Sequence, residues 1–344
     1  MKLRFYFYKL EIICYNGIVK LVLFEKGEIY MKHGKKILSA IALVLCTTTL
    51  TACANTSAKV TFKEYWLEDA NVTPATVLET LTYDVSFKKA AGLSESYTVD
   101  YKNGVYTTKL TLNEGVYRYE TSLNIDVVYK VGEQTVTKND SVLSWVEFKK
   151  TAKLHPIASH KEFVNHSPAN GGSTIETCFV ASNYTVDTTY NENGLGGKSV
   201  IVDNETKVSQ ESTFTVEDKY TCLDNEQLLF ALRGLSQSNA TASVSVYAPF
   251  SGVVQSINLT YSSLKKGTEF VFQTGETQVK QVINYYPVSV KINAQFPGAT
   301  QTAWIAETTN AQSNTFRNVI LQLETPLSYN LGSLIYKLKS ANFI

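Results

Sequence analysis

Between residues 117 and 131 the chain alternates almost without interruption. Tyr117, Tyr119, Thr121, Leu123, Ile125, Val127, Tyr129 and Val131 take every second position, while Arg118, Glu120, Ser122, Asn124, Asp126 and Lys130 take most of the others. A period of two places the apolar set on one face of a strand and the polar set on the other. So long a half-buried strand belongs in an antiparallel sheet wetted on one side, and it needs curvature to bury its apolar face along its whole length. Tyr83, Val85 and Phe87 alternate in the same way, as do Tyr97, Val99 and Tyr101 up to Asn103-Gly104. That dipeptide suits a type I′ turn, so a hairpin is expected there, with Thr108, Leu110 and Leu112 on the return strand. Further strands are expected at 142–148, 175–186, 199–203, 212–216, 241–247, 253–261, 269–272, 279–283, 288–296, 302–306, 319–323 and 334–338, with a turn at Pro297-Gly298.

One helix interrupts the strands. Asp224 offers an N-cap with Gln227 three residues on, close to a capping box. Leu228, Leu229, Phe230 and Leu232 follow, and Gly234 is placed as the C′ glycine. The apolar side of this helix is too broad for water, so it should lie across the concave face of the sheet. The fold class predicted is therefore mainly β, a large curved antiparallel sheet or half-barrel with one covering helix. The alternative is two β-sandwich domains. Residues 151–172 are the weakest for strands and contain Pro156, Pro168 and Gly171-Gly172, so they read as a long loop or as the boundary between two domains. A cavity between helix and sheet would be lined by Leu228, Leu229, Phe230 and Leu232 with Tyr117, Tyr119, Leu123 and Ile125.

Ahead of the strands lies a different pattern. Lys32, Lys35 and Lys36 precede the apolar run 37–45, and small residues then lead to Leu50-Thr51-Ala52-Cys53. A basic, apolar, small order of this size is an export signal, too short in its apolar part to span a bilayer. LTAC resembles the lipobox of bacterial lipoproteins. The resemblance implies a diacylglyceryl group on the Cys53 thiol, cleavage just before it, and attachment to the extracytoplasmic face of the cell membrane through that lipid. Residues 1–30 stand upstream of a complete signal starting at Met31, and Lys26-Gly27-Glu28 can be encoded by a ribosome-binding sequence. They read as an upstream extension, 31–52 as signal peptide, 53–60 as tether and 61–344 as a single β-rich domain.

Composition narrows the function. The chain has 32 basic and 31 acidic residues, and residues 1–52 hold 8 and 3 of them, which leaves the remainder at 24 against 28. A slightly acidic body without a Lys/Arg cluster carries no footprint for nucleic acid. Tyr (21) and Phe (16) are abundant while Pro (7) is scarce, which favours strands. Cys178 and Cys222 remain once Cys14, Cys46 and Cys53 are set aside. They are read either as a disulfide or as two buried free thiols.

Candidate chemistry is thin. His155, His160 and His166 lie close together beside Glu162, but their spacing fits neither a helical face nor one side of a strand, and a solvated loop is expected. Gly194-Leu195-Gly196-Gly197-Lys198-Ser199 mimics the end of a phosphate loop, yet Glu192 stands where the first glycine is required and a strand follows instead of a helix. No G-x-S-x-G elbow and no H-E-x-x-H pair occurs in the chain. No catalytic residue, metal or cofactor is predicted.

Three stretches carry a family likeness: ETLTYDVSF at 79–87, DNEQLLFALRGL at 224–235, and YPVSVKINAQFPGATQTAWIA with TPLSYNLGSLIYKL at 286–306 and 325–338. In this order they resemble an uncharacterised family of exported bacterial proteins with a half-barrel fold, related to the lipoprotein-localisation factors. The resemblance implies a concave sheet able to hold an acyl chain or another apolar ligand. The function expected is a non-enzymatic lipoprotein binding such a ligand, and the alternative is a β-sandwich surface protein that binds a partner protein or glycan.

Overall fold

Sixteen strands follow one another through a single hydrogen-bonded sheet. The computed structural model describes residues 6–15 and 18–28 as backbone, and residues 62, 77–90, 97–151, 153–169, 172–235, 241–292, 300–307, 318–327 and 331–343. Cys53, the signal and tether segments and Pro297-Gly298 lie outside these residues. The chain divides into two units, Met1–Ser57 and Ala58–Ile344. In the first, the stretch read as an upstream extension forms an antiparallel hairpin of β1 (Tyr6–Tyr15) and β2 (Ile18–Glu28).

The second unit holds the large sheet. Its first half is a meander of β3 (Val77–Lys89), β4 (Thr98–Asn113), β5 (Val116–Val131), β6 (Gln134–Lys149), β7 (Pro156–Pro168), β8 (Phe179–Tyr190), β9 (Gly196–Asp203) and β10 (Ser209–Thr215). Then come β11 (Cys222–Leu223), the helix α1 (Leu228–Leu232), β12 (Thr241–Ala248), β13 (Val253–Tyr261), β14 (Lys265–Thr274), β15 (Thr277–Ile292), β16 (Gln301–Ala306), β17 (Ile320–Pro326) and β18 (Gly332–Phe343). The last strand returns to pair with β3, so the path runs from β10 back to β3, across to β18, and on through β17, β16, β15, β13 and β12 to β11. β14 pairs with both β15 and β18 and thereby closes β14–β18 into a five-stranded ring. The fold is thus mainly β and barrel-like, with one short helix among the described residues, as the alternation predicts. Two separate sandwiches are overturned by this unbroken ladder.

The two ends of the path come together through side chains. Phe214 of β10 stacks on Tyr247 of β12 with ring centroids 3.9 Å apart and planes 7° from parallel, and the Ser212 and Tyr247 hydroxyls lie 2.5 Å apart. Tyr190 meets Phe214 edge-on.

Two expectations fail for legible reasons. Asn103-Gly104 is no turn. It is a bulge inside the continuous strand β4, with Asn103 at φ 53° and the register to β5 shifting between Lys102 and Val105. A Cβ on Gly104 would come within 2.7 Å of the Val85 Cβ and 2.9 Å of the Ile125 Cδ1, so glycine here lets neighbouring strands close over the bulge. Residues 156–168 are no loop or boundary either. β7 pairs with β6 over 156–164 and with β8 over 158–168. Both of its faces carry polar residues, which hides the period of two, because one face meets the start of the helix.

That helix is shorter than expected. A 3₁₀ turn, Asn225–Gln227, leads into the five residues of α1. The capping box is present: the Glu226 amide donates to the Asp224 side chain at 2.7 Å and the Asp224 amide to the Gln227 side chain at 3.0 Å. Its end closes by tight bonds from the Arg233 and Gly234 amides to the Phe230 and Ala231 carbonyls, without a left-handed glycine. A helix this short has no stability of its own in water and depends on what it packs against.

Candidate functional site

Register places side chains in rows across the inner face of β4–β8, because directly paired residues share a face. The row Tyr119–Val146 and the pair Tyr117–Phe148 lie under the helix. Phe230, 1% exposed, fills the space above them, with ring centroids 5.0 Å from Phe148, 5.6 Å from Tyr119 and 6.0 Å from Tyr117. Leu228 and Leu232 are also buried, and Leu229 is half-buried against the same core.

Next to this filled region runs a polar row, Thr121–Ser144–Lys161. The Thr121 and Ser144 hydroxyls lie 2.7 Å apart, Ser144 donates to Glu226 Oε2 at 2.8 Å, and Lys161 Nζ donates to Glu226 Oε1 at 2.9 Å. Two residues back along β7, Ser159 donates to Asp224 Oδ2 at 2.6 Å, and Tyr190 at the end of β8 donates to the same oxygen at 2.7 Å. Burial pushes the Asp224 carboxyl upward and the Glu226 charge adds to this, against the hydrogen bonds it accepts. Burial opposes the Glu226 charge too, but the charge and hydrogen bond of Lys161 outweigh it and the net shift is downward. Opposed carboxyl shifts also mark acid–base pairs. Here both oxygens of Asp224 are engaged in holding the start of the helix.

Beyond the polar row lies an apolar one: Tyr106, Leu123, Val142, Phe163 and Tyr184, paired in turn from β4 to β8. All five are half-buried. Phe250, from the turn between β12 and β13, meets Phe163 and Tyr184 edge-on at 5.5 Å each. This row is apolar yet only half-buried, whereas Ile125, Val127 and Tyr129 further along β5 are buried again.

The expected lining residues therefore divide. Tyr117, Tyr119, Phe230, Leu228 and Leu232 come together as packed core, and Ile125 is buried against the bulge at Gly104. Leu123 alone of the expected set belongs to the half-buried row. Val142, Phe163 and Tyr184 were missed with β7, since their shared row appears only when that strand is in register. Cys178 and Cys222 are free, buried, and in different packed clusters, so the disulfide reading gives way to free thiols. His160 and His166 are strand residues, each tied to a carboxylate: His160 Nδ1 lies 2.7 Å from Asp187 and Nε2 3.2 Å from Glu162, and His166 Nδ1 lies 2.9 Å from Asp140. On the outer face His160 also stacks with Trp145, over whose ring Arg118 lies at 4.1 Å. Among the described residues no group of three His, Cys, Asp or Glu is placed to hold a metal.

No family model matches the chain, and no curated protein does. Among solved structures, the chain is similar to the crystal structure of a beta-barrel-like protein of Domain of Unknown Function DUF1849 from Brucella abortus, with a TM-score of 0.45, 10% identity, and coverage of 78% of this chain and 98% of that one.

Proposed function

We propose that this chain is a lipid-anchored, extracytoplasmic, non-enzymatic protein whose curved sheet binds a small apolar ligand. The observation that carries the binding half is the half-buried row Tyr106–Leu123–Val142–Phe163–Tyr184, which leaves contiguous apolar surface beside a core already filled by Phe230. Covering such surface is favourable by about 25 cal/mol per Å² removed from water. The anchoring half rests on the signal and lipobox ending at Cys53. A diacylglyceryl group brings two acyl chains, and two chains hold a protein at a membrane where one does so only weakly.

Replacing Cys53 with Ser tests the anchor. The variant is expected to leave the membrane fraction, or to persist as uncleaved precursor, and to incorporate no labelled palmitate. Unchanged membrane association with label retained would reject it. A chain beginning at Met31 is expected to be exported as well as the longer reading frame. The binding half is tested by uptake of a hydrophobic fluorescent dye, expected to fall in Phe163→Asp and to be unaffected by changes on the outer face.

A further inference from the structure

We infer that the site selects an amphiphile with an uncharged, hydrogen-bond-accepting head, an ester, amide or hydroxyl, over one whose head is ionised. The inference rests on the apolar-ligand reading above and adds the chemistry of the head.

The apolar row is flanked along one side by Thr121, Ser144 and Lys161, two residues away on the same strands and on the same face. The row makes four steps of about 4.8 Å between its five strands and is about 19 Å long. One leaflet's share of a bilayer core of about 30 Å is about 15 Å, so the row has the length for a single acyl chain laid across it. A chain lying with its tail toward Tyr106 brings its head to the Phe163–Tyr184 end, where Lys161 stands two residues from Phe163 on β7. There Lys161 is 29% and Glu226 13% exposed in their side chains, so the pair borders the open part of the face.

The pair decides the head. Glu226 already accepts from Lys161, Ser144 and Asn225, which leaves little capacity for a ligand donor. Lys161 carries three N–H donors and gives one to Glu226. It offers donors, and a ligand acceptor fits them. A carboxylate set on Lys161 would also stand beside Glu226, with Asp224 close behind, and like charges oppose it. An ammonium head would meet Lys161 itself and a Glu226 that is already occupied. A neutral carbonyl or hydroxyl takes the spare donors and offends neither charge.

The test uses the full chain carrying Cys53→Ser, purified without detergent and loaded with a hydrophobic fluorescent dye. Three probes of equal chain length compete for the dye: a monoacylglycerol, a fatty-acid anion and a long-chain amine. The monoacylglycerol is expected to displace the dye at roughly tenfold lower concentration than either charged probe. Lys161→Met with Glu226→Gln, which removes both charges together, should abolish that preference, while Lys161→Arg should keep it. Equal or better displacement by a charged probe, or a preference unchanged in the double variant, overturns the head selection and leaves the apolar-ligand reading standing. Absence of dye uptake in the parent chain overturns both.

Discussion

Arg233 and Glu79 meet as a two-point ion pair inside the core, Nη1 to Oε1 at 2.6 Å and Nη2 to Oε2 at 2.8 Å, with side chains 1% and 2% exposed. The pair joins the end of the helix to the first strand of the large sheet. Burial alone would pull the Arg233 pKa down, but the charge and hydrogen bonds of Glu79 reverse this and raise it. The last helical carbonyls are held as well: Leu232 accepts from the Tyr261 hydroxyl, and Arg233 from the Asn318 amide at 3.0 Å. With Asp224 fixed at the other end, the helix is pinned at both ends. It is a built part of the core.

Breaking one half of that pair should be costly. Glu79→Gln leaves a buried guanidinium without its counter-charge, and about 3–5 kcal/mol of stability should be lost. Replacing both residues, Glu79→Leu with Arg233→Met, should cost far less, since no buried charge is then left alone. Urea unfolding of the single and double variants measures the difference. With Arg233→Met measured alone as well, a double loss equal to the sum of the two single losses would show that the pair is not coupled.

Phe230 and Phe163 should respond in opposite ways. Phe230 is enclosed by three rings, so Phe230→Ala should cost about 3–5 kcal/mol, the usual loss for a packed aromatic. Had the ring lined an empty cavity, the loss would be smaller. Phe163 is half-buried, and its truncation should cost less while lowering dye uptake. Denaturant midpoints and dye titration on the same two variants separate packing from binding.

The outer face gives a pH dependence with a definite sign. Burial lowers the His160 pKa, but hydrogen bonds to Asp187 and Glu162 and their charges outweigh it, and the net shift is upward. A raised folded pKa contributes stability that is complete below the unfolded value of about 6.5 and is lost as pH rises through the folded one. Stability should therefore decline across that window, and His160→Asn should flatten the decline. Glu226 acts in the opposite sense. Its lowered pKa contributes stability above about 4.3 that is lost as pH falls through the folded value. Thermal midpoints across a pH series, with and without His160→Asn, check the first of these.

Both thiols should be inert in the folded chain. Burial, helped by the Asp224 charge, pushes the Cys222 thiol up to about 12, and burial raises Cys178. The thiolate is the reactive form, so iodoacetamide should label neither residue under native conditions and both after unfolding without reductant. Labelling that needs a reductant would restore the disulfide.

What could be read in the sequence follows where one face is dry. β5 announces itself because Tyr117 to Val131 alternate against water on one side and core on the other, and the helix start is announced by Asp224 and Gln227, whose reciprocal bonds are local. β7 is silent for the opposite reason. Its inner residues Ser159 and Lys161 serve the carboxylates of the helix start, 65 residues away in each case, and no local pattern reports a partner so distant. The bulge at Asn103-Gly104 deceives because the same backbone freedom serves a turn and a bulge. The candidate row was half legible for this reason: Leu123 could be placed from its own strand, whereas Phe163 and Tyr184 needed the register of β7.

The central claim is that the inner face carries a small apolar or amphipathic ligand, and native mass spectrometry of the Cys53→Ser chain tests it most directly. The chain would be purified without detergent, weighed intact, and extracted with organic solvent. The expected result is a population heavier than the bare chain by one small molecule, which moves into the organic phase on extraction and is missing in Phe163→Asp. A single species at the mass of the bare chain, with no extract and no dye uptake, would contradict the claim and leave the sheet as a filled structural body.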